Sequence, residues 1–116
     1  MTENISPNQP LPEHVMIVDD DGMPSAVMNA DIIQNAATRL MYEMACNSGD
    51  EAALSAVSKK YLDEVGVDTF GYVTAAALKL MTAYILEPTL ETCDLAGIKL
   101  RDGLARAGAD AIRDLS

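Results

Sequence analysis

The chain has 116 residues, 49% of them hydrophobic, and eight Lys+Arg against eighteen Asp+Glu give a formal charge of −10. That length fits one domain, and that composition fits a packed core rather than a disordered chain. The acidic balance excludes docking through nucleic-acid phosphates or onto an anionic membrane, both of which need a basic surface.

The charge is unevenly placed. Glu3, Glu13, Asp19, Asp20 and Asp21 precede Gly22, and no Lys or Arg occurs before Arg39, so residues 1–22 hold half of the net charge. Without an early basic cluster the sequence lacks the opening of a secretory signal or a mitochondrial presequence. Two cysteines are too few for a disulfide framework and suit free thiols in a reducing compartment. The expected location is cytoplasmic.

Residues 1–13 contain Pro7, Pro10 and Pro12 and few apolar side chains, which predicts a flexible, Pro-rich leader. Residues 14–28 read as extended. His14–Val18 has strand propensity, Asp20–Met23 has turn chemistry, and Ser25–Met28 can return as a second strand. A lone hairpin is marginal in water, so it must lie on helices or pair with another chain.

From residue 29 to 116 the pattern is helical. Helix one is expected over about 30–47, capped by Asn29, with Ile32 or Ile33, Ala36, Ala37, Leu40, Met41 and Met44 inward. Ser48 and Glu51 form an S-x-x-E capping box for helix two, whose stripe is Ala53, Leu54, Val57, Tyr61, Leu62 and Val65. Gly66 stops it, and Asp68 can cap helix three over about 69–86, ended by Pro88. Thr89 would cap helix four, whose seam runs Leu90, Cys93, Gly97, Leu100, Leu104, Ala107 and Ala111. Gly103 and Gly108 are points where it can break. Short connections favour antiparallel neighbours, so the expected fold is all-α, a four-helix up-down bundle behind the leader and hairpin segment.

Helix three carries more apolar surface than a bundle helix needs. Phe70, Val73, Ala77, Leu80, Met81 and Tyr84 form the core stripe, while Tyr72, Leu78, Ile85 and Leu86 fall outside its centre. Either the hairpin or a second copy of the chain must cover that spare face. Gly71, Thr74, Lys79 and Thr82 interrupt residues 70–86, so no membrane span is expected there.

Residues 15–21 (VMIVDDD) resemble the first strand and acidic pair of response-regulator receiver domains, whose carboxylates hold Mg²⁺. That fold needs further parallel strands, whereas helical patterning here begins at Ala30. The same aspartates do not fit an EF-hand loop, because Gly22 at its sixth position puts Ile17 at the first and Met28 at the twelfth.

Glu91 and Asp94 place two carboxylates one helical turn apart, resembling half of the Mg²⁺-gathering motif of all-α nucleoside-triphosphate pyrophosphatases. The E-E-x-x-E partner helix is missing. His14 is the one histidine, so neither a zinc set nor a Cys–His pair assembles locally. Cys46 and Cys93 read as small core residues, as do Met41, Met44 and Met81.

Mimicry of a nucleic acid would have to rest on the acidic leader, since Lys59, Lys60, Lys79, Lys99, Arg101, Arg106 and Arg113 intersperse the rest. These readings converge on a non-catalytic protein–protein interaction or regulatory module with no cofactor or metal. It is expected to form a homodimer and to bind an unidentified protein partner. The expected contact residues are Tyr72, Leu78, Ile85 and Leu86 on helix three, with Val15 and Ile17 in the extended segment.

Overall fold

The computed structural model of the chain describes residues 14–18 and 24–116, with backbone alone before Asn29. The leader over 1–13 and the acidic turn over 19–23 lie outside the described residues. Strand β1 (His14–Val18) pairs antiparallel with β2 (Pro24–Asn29), His14 opposite Asn29 and Ile17 opposite Ala26, with an irregularity between Ile17 and Val18. The paired segments lie beside α1.

The remainder is all-α, with four helices. Helix α1 (Ala30–Cys46) starts where Asn29 Oδ1 accepts from the Asp31 and Ile32 amides at 2.8 and 3.2 Å, satisfying two of the donors that a helix start leaves open. Helix α2 (Glu51–Val65) is capped by Asp50, whose carboxylate accepts from Ala53 N–H at 3.0 Å. The cap is thus Asp50, not Ser48: a carboxylate next to the first turn displaces the hydroxyl two residues earlier.

Gly66 joins α2 to α3 at φ +86°, a backbone region that side-chain-bearing residues rarely enter. Because the chain re-enters a helix directly from that glycine, α3 begins at Val67 without a side-chain cap, and Asp68 takes no capping role.

Helix α3 differs most from expectation. It does not stop before Pro88 but continues as one 29-residue helix, Val67–Leu95. The reason is a π-helical turn over Thr82–Leu86, where Glu87 N–H bonds the Thr82 carbonyl five residues back. In a regular helix the Pro88 ring would press on the carbonyl of Tyr84 and one hydrogen bond would be lost. The wider turn accommodates the ring. Threonines meet the surrounding carbonyls: Thr82 Oγ1 donates to Leu78 at 2.8 Å, Thr89 to Ile85 at 2.6 Å and Thr92 to Pro88 at 3.0 Å.

What ends α3 is Gly97, at φ +77°. Ile98 N–H returns to the Cys93 carbonyl at 2.8 Å and Gly97 N–H to Asp94 at 3.1 Å, the paired bonds of a Schellman stop. Helix α4 (Leu100–Leu115) follows. The expected division of helices three and four at Pro88 is therefore corrected to a division at Gly97.

The core lies among α1, α2 and α3. Ile33, Ala36, Ala37, Leu40 and Met41 meet Val57 and Tyr61 of α2 and Val73, Ala77 and Leu80 of α3. Of the isoleucine pair it is Ile33 that turns inward, while Ile32 is exposed. Three alanines at the centre let α1 and α3 approach closely. Helix α4 buries none of its residues, so its fourfold seam is a solvent-facing stripe rather than bundle core.

Candidate functional site

Apolar surface dominates what the fold leaves open. Beside the central alanines, α1 and α3 part to form a groove of about 550 Å³. Leu40, Met41, Met44 and Ala45 line it from α1, Leu54 from α2, and Thr74, Ala77, Leu78, Met81 and Ile85 from α3, with Ser48 at the α1–α2 connection. Three methionines in its lining matter physically. Their unbranched, polarizable side chains can repack around partners of differing shape. Met41 is buried, whereas Met44 and Met81 are half-buried, so the groove is floored by residues that also belong to the core.

The contact residues expected on α3 divide. Leu78 stands at the groove rim with 69% of its surface exposed, and Tyr72 and Leu86 are exposed too. Ile85 is half-buried against the core and closes one end of the groove. Tyr84, expected in the core stripe, is instead exposed at 38%, because the π turn shifts the phase of the face that follows it. Val15 and Ile17 sit on β1, opposite Met28 and Ala26 in the backbone register; their side chains lie outside the described residues.

A second apolar surface is the seam the sequence assigns to bundle packing, which the structure leaves exposed. Leu95 and Ile98 at the end of α3, and Leu100, Leu104, Ile112 and Leu115 on α4, are all exposed. At 100° per residue, Leu100, Leu104, Ala107, Ala111 and Leu115 form one face of α4. Asp102, Arg106, Asp110 and Arg113 occupy the other, and Asp114 borders the stripe. The 3–4 spacing that signalled this stripe is the same whether a helix packs on its own chain or on another.

Polar clusters are structural locks between helices. Buried Tyr61 sends its hydroxyl to Glu43, and Lys60 Nζ reaches the same carboxylate at 3.0 Å. Arg39 grips both oxygens of Glu64, at 3.0 and 2.5 Å, and its guanidinium lies 5.2 Å from the Tyr61 ring centroid. Burial and the facing Glu43 carboxylate push the Tyr61 phenol up to about 12. The hydrogen bonds from Tyr61 and Lys60 hold Glu43 below the usual carboxylate range, and Arg39 does the same for Glu64.

A second lock fastens α4. Arg101 pairs with Glu87 at 2.7 and 3.2 Å and with Asp94 at 2.8 Å. Asp94, half of the E-x-x-D pair with Glu91, is thus engaged by a cation of its own chain. Among the described residues no three His, Cys, Asp or Glu side chains gather as a metal set. The His14 side chain lies outside the described residues. Both cysteines are unbridged; Cys46 is exposed and Cys93 half-buried, so Cys46 is not the core residue its spacing suggested.

By length and composition, Val67–Leu95 could also cross a membrane. This follows from its continuation through Pro88, which adds residues 87–95 to the apolar stretch. One face of it is occupied in the protein core by Val73, Ala77 and Leu80.

Compared with models of protein families, with curated proteins and with solved structures, the chain matches none of them.

Proposed function

We propose that this chain is a non-catalytic protein-interaction module that self-associates through the exposed apolar surface of α3. The observation that carries this reading is the methionine-floored groove and its rim residue Leu78, which is 69% exposed. Apolar surface gathered in one place and left in water is the usual mark of a contact site. Among the described residues, the ion pairs and the Tyr61–Glu43 bond fasten helices to one another. A two-fold dimer is the form favoured, since closed two-fold symmetry is the commonest way for a single surface to satisfy itself.

Sedimentation of the full chain at micromolar concentration tests the reading. A dimer is expected, and Leu78→Asp is expected to dissociate it with helicity unchanged. A monomer at every concentration overturns it.

A second reading draws on the length and apolar character of Val67–Leu95, namely burial of α3 in a bilayer. Flotation with neutral phosphatidylcholine vesicles separates the two. The module should stay in the aqueous fraction, whereas an inserting helix would carry the chain upward with the lipid.

A further inference from the structure

Among the described residues, two apolar features of this chain lack a partner: the groove between α1 and α3, and the stripe along α4. We infer that they are partners of one another across a dimer, the α4 helix of each copy lying in the Met44–Leu78–Met81 groove of the other. This rests on the self-associating reading above and specifies its contact.

The first argument is placement. Arg101, at the start of α4, is held by Glu87 and Asp94 on the last turns of α3, and Gly97 sets the direction of the joint through its Schellman stop. Those turns lie beyond Ile85, the last groove residue on α3. Anchored there, α4 leaves its own groove open and buries none of its sixteen residues. Leu115, at its far end, is 84% exposed.

The second argument is fit. A helix enters a hydrophobic groove by presenting anchors at i, i+4 and i+7 on one face, and Leu100, Leu104, Ala107, Ala111 and Leu115 supply that pattern. Small residues at 107 and 111 allow a close approach. The opposite face carries Asp102, Arg106, Asp110 and Arg113, the last pairing with Asp110, so it stays solvated when the stripe is covered, while Asp114 at the stripe's edge is held by Arg113.

The third argument is area. A helix of sixteen residues is about 24 Å long and about 10 Å wide, so it covers about 240 Å² on each partner. Two reciprocal insertions, counting both surfaces of each, bring the total to about 1,000 Å², where specific interfaces begin. A single insertion falls well short. Reciprocity is therefore part of the inference and not an embellishment of it.

The test uses the full chain in three forms: wild type, a stripe variant (Leu104→Glu with Leu115→Glu) and a groove variant (Leu78→Asp). All three positions are exposed, and circular dichroism should show unchanged helicity. Each variant alone is expected to raise the dimer dissociation constant by about a hundredfold or more by sedimentation. Mixing the two variants should restore part of the association, because the intact α4 of the groove variant still meets the intact groove of the stripe variant.

Three results overturn the inference, and they are distinguishable. If the stripe variant dimerises like wild type while the groove variant does not, α3 associates without α4, and the self-associating reading stands alone. If wild type is monomeric and the stripe variant is less stable, α4 closes on its own chain. If neither variant changes a wild-type dimer, the contact lies elsewhere.

Discussion

The hydroxyl of Tyr61 on α2 donates to the carboxylate of Glu43 on α1, joining a core side chain to a charged group at the surface. A phenol that is 1% exposed brings a polar group to the edge of the core, and its partner is a charged acceptor that Lys60 also holds. Hydrogen bonds to charged groups are the stronger kind. Tyr61 thereby fixes the register of α1 against α2 as well as filling space between them.

Tyr61→Phe should lower unfolding stability by about 1.5–3 kcal/mol, the range for a charge-assisted hydrogen bond. Urea denaturation measures it. In the wild type one of the four tyrosines should ionise only near pH 12 in an ultraviolet titration, and that step should vanish in the variant. A phenol raised above its ordinary value of 10 favours the fold below that pH and ceases to do so as pH rises through about 12.

Acid should weaken the fold through three glutamates. Glu43, Glu64 and Glu87 are held below their ordinary value of 4.5 by Tyr61 with Lys60, by Arg39 and by Arg101 respectively. Depressed carboxylates bind fewer protons folded than unfolded. Their contribution is therefore complete above about pH 4.5 and is lost as pH falls through the depressed values. Melting temperature followed from pH 7 to pH 3 should hold level and then drop. Because these groups are exposed, 0.5 M NaCl should shrink the drop.

Leu40 stands where core and groove share a wall, 3% exposed. Leu40→Ala should cost about 2–5 kcal/mol by chemical denaturation. The groove beside it offers room for Met41 and Met44 to move inward, which places the expected value in the lower half of that range.

Gly71 lies in α3 with no atom within 4 Å of where a Cβ would stand. Gly71→Ala should stabilise the chain by about 0.5–1 kcal/mol, since it restricts the unfolded chain and adds no clash. A thermal melt is sufficient to see it.

Much of this fold was legible in the residues. Asn29 caps α1 as its position suggests, and the 3–4 spacing of Ile33, Ala36, Ala37 and Leu40 picks out the buried face. Pro88 was misleading for a physical reason: the rule that proline ends a helix assumes a regular ladder, and a π turn removes the steric conflict on which the rule rests. Gly97 carried the better signal, a glycine followed by apolar Ile98, but it sat inside an unbroken hydrophobic spacing. The excess of apolar surface on α3 was visible in advance. That α1 would part from it to leave a groove was not, because periodicity assigns faces to a helix but says nothing of the gap between two of them.

The π turn also decides where Arg101 can find its acids. By taking one extra residue into the winding, Thr82–Leu86 sets every later position on α3 back by about 100° relative to a uniform helix. Glu87 and Asp94 owe their compass bearing to that surplus residue. Deleting Ala83 would take that surplus residue out, return the turn to regular pitch and leave both carboxylates facing the guanidinium. Winding the same residues as a regular helix would instead swing both carboxylates away and send α4 off on a different heading. The bearing of the fourth helix is thus written fourteen residues or more before it begins, in the length of one turn rather than in any side chain that touches it.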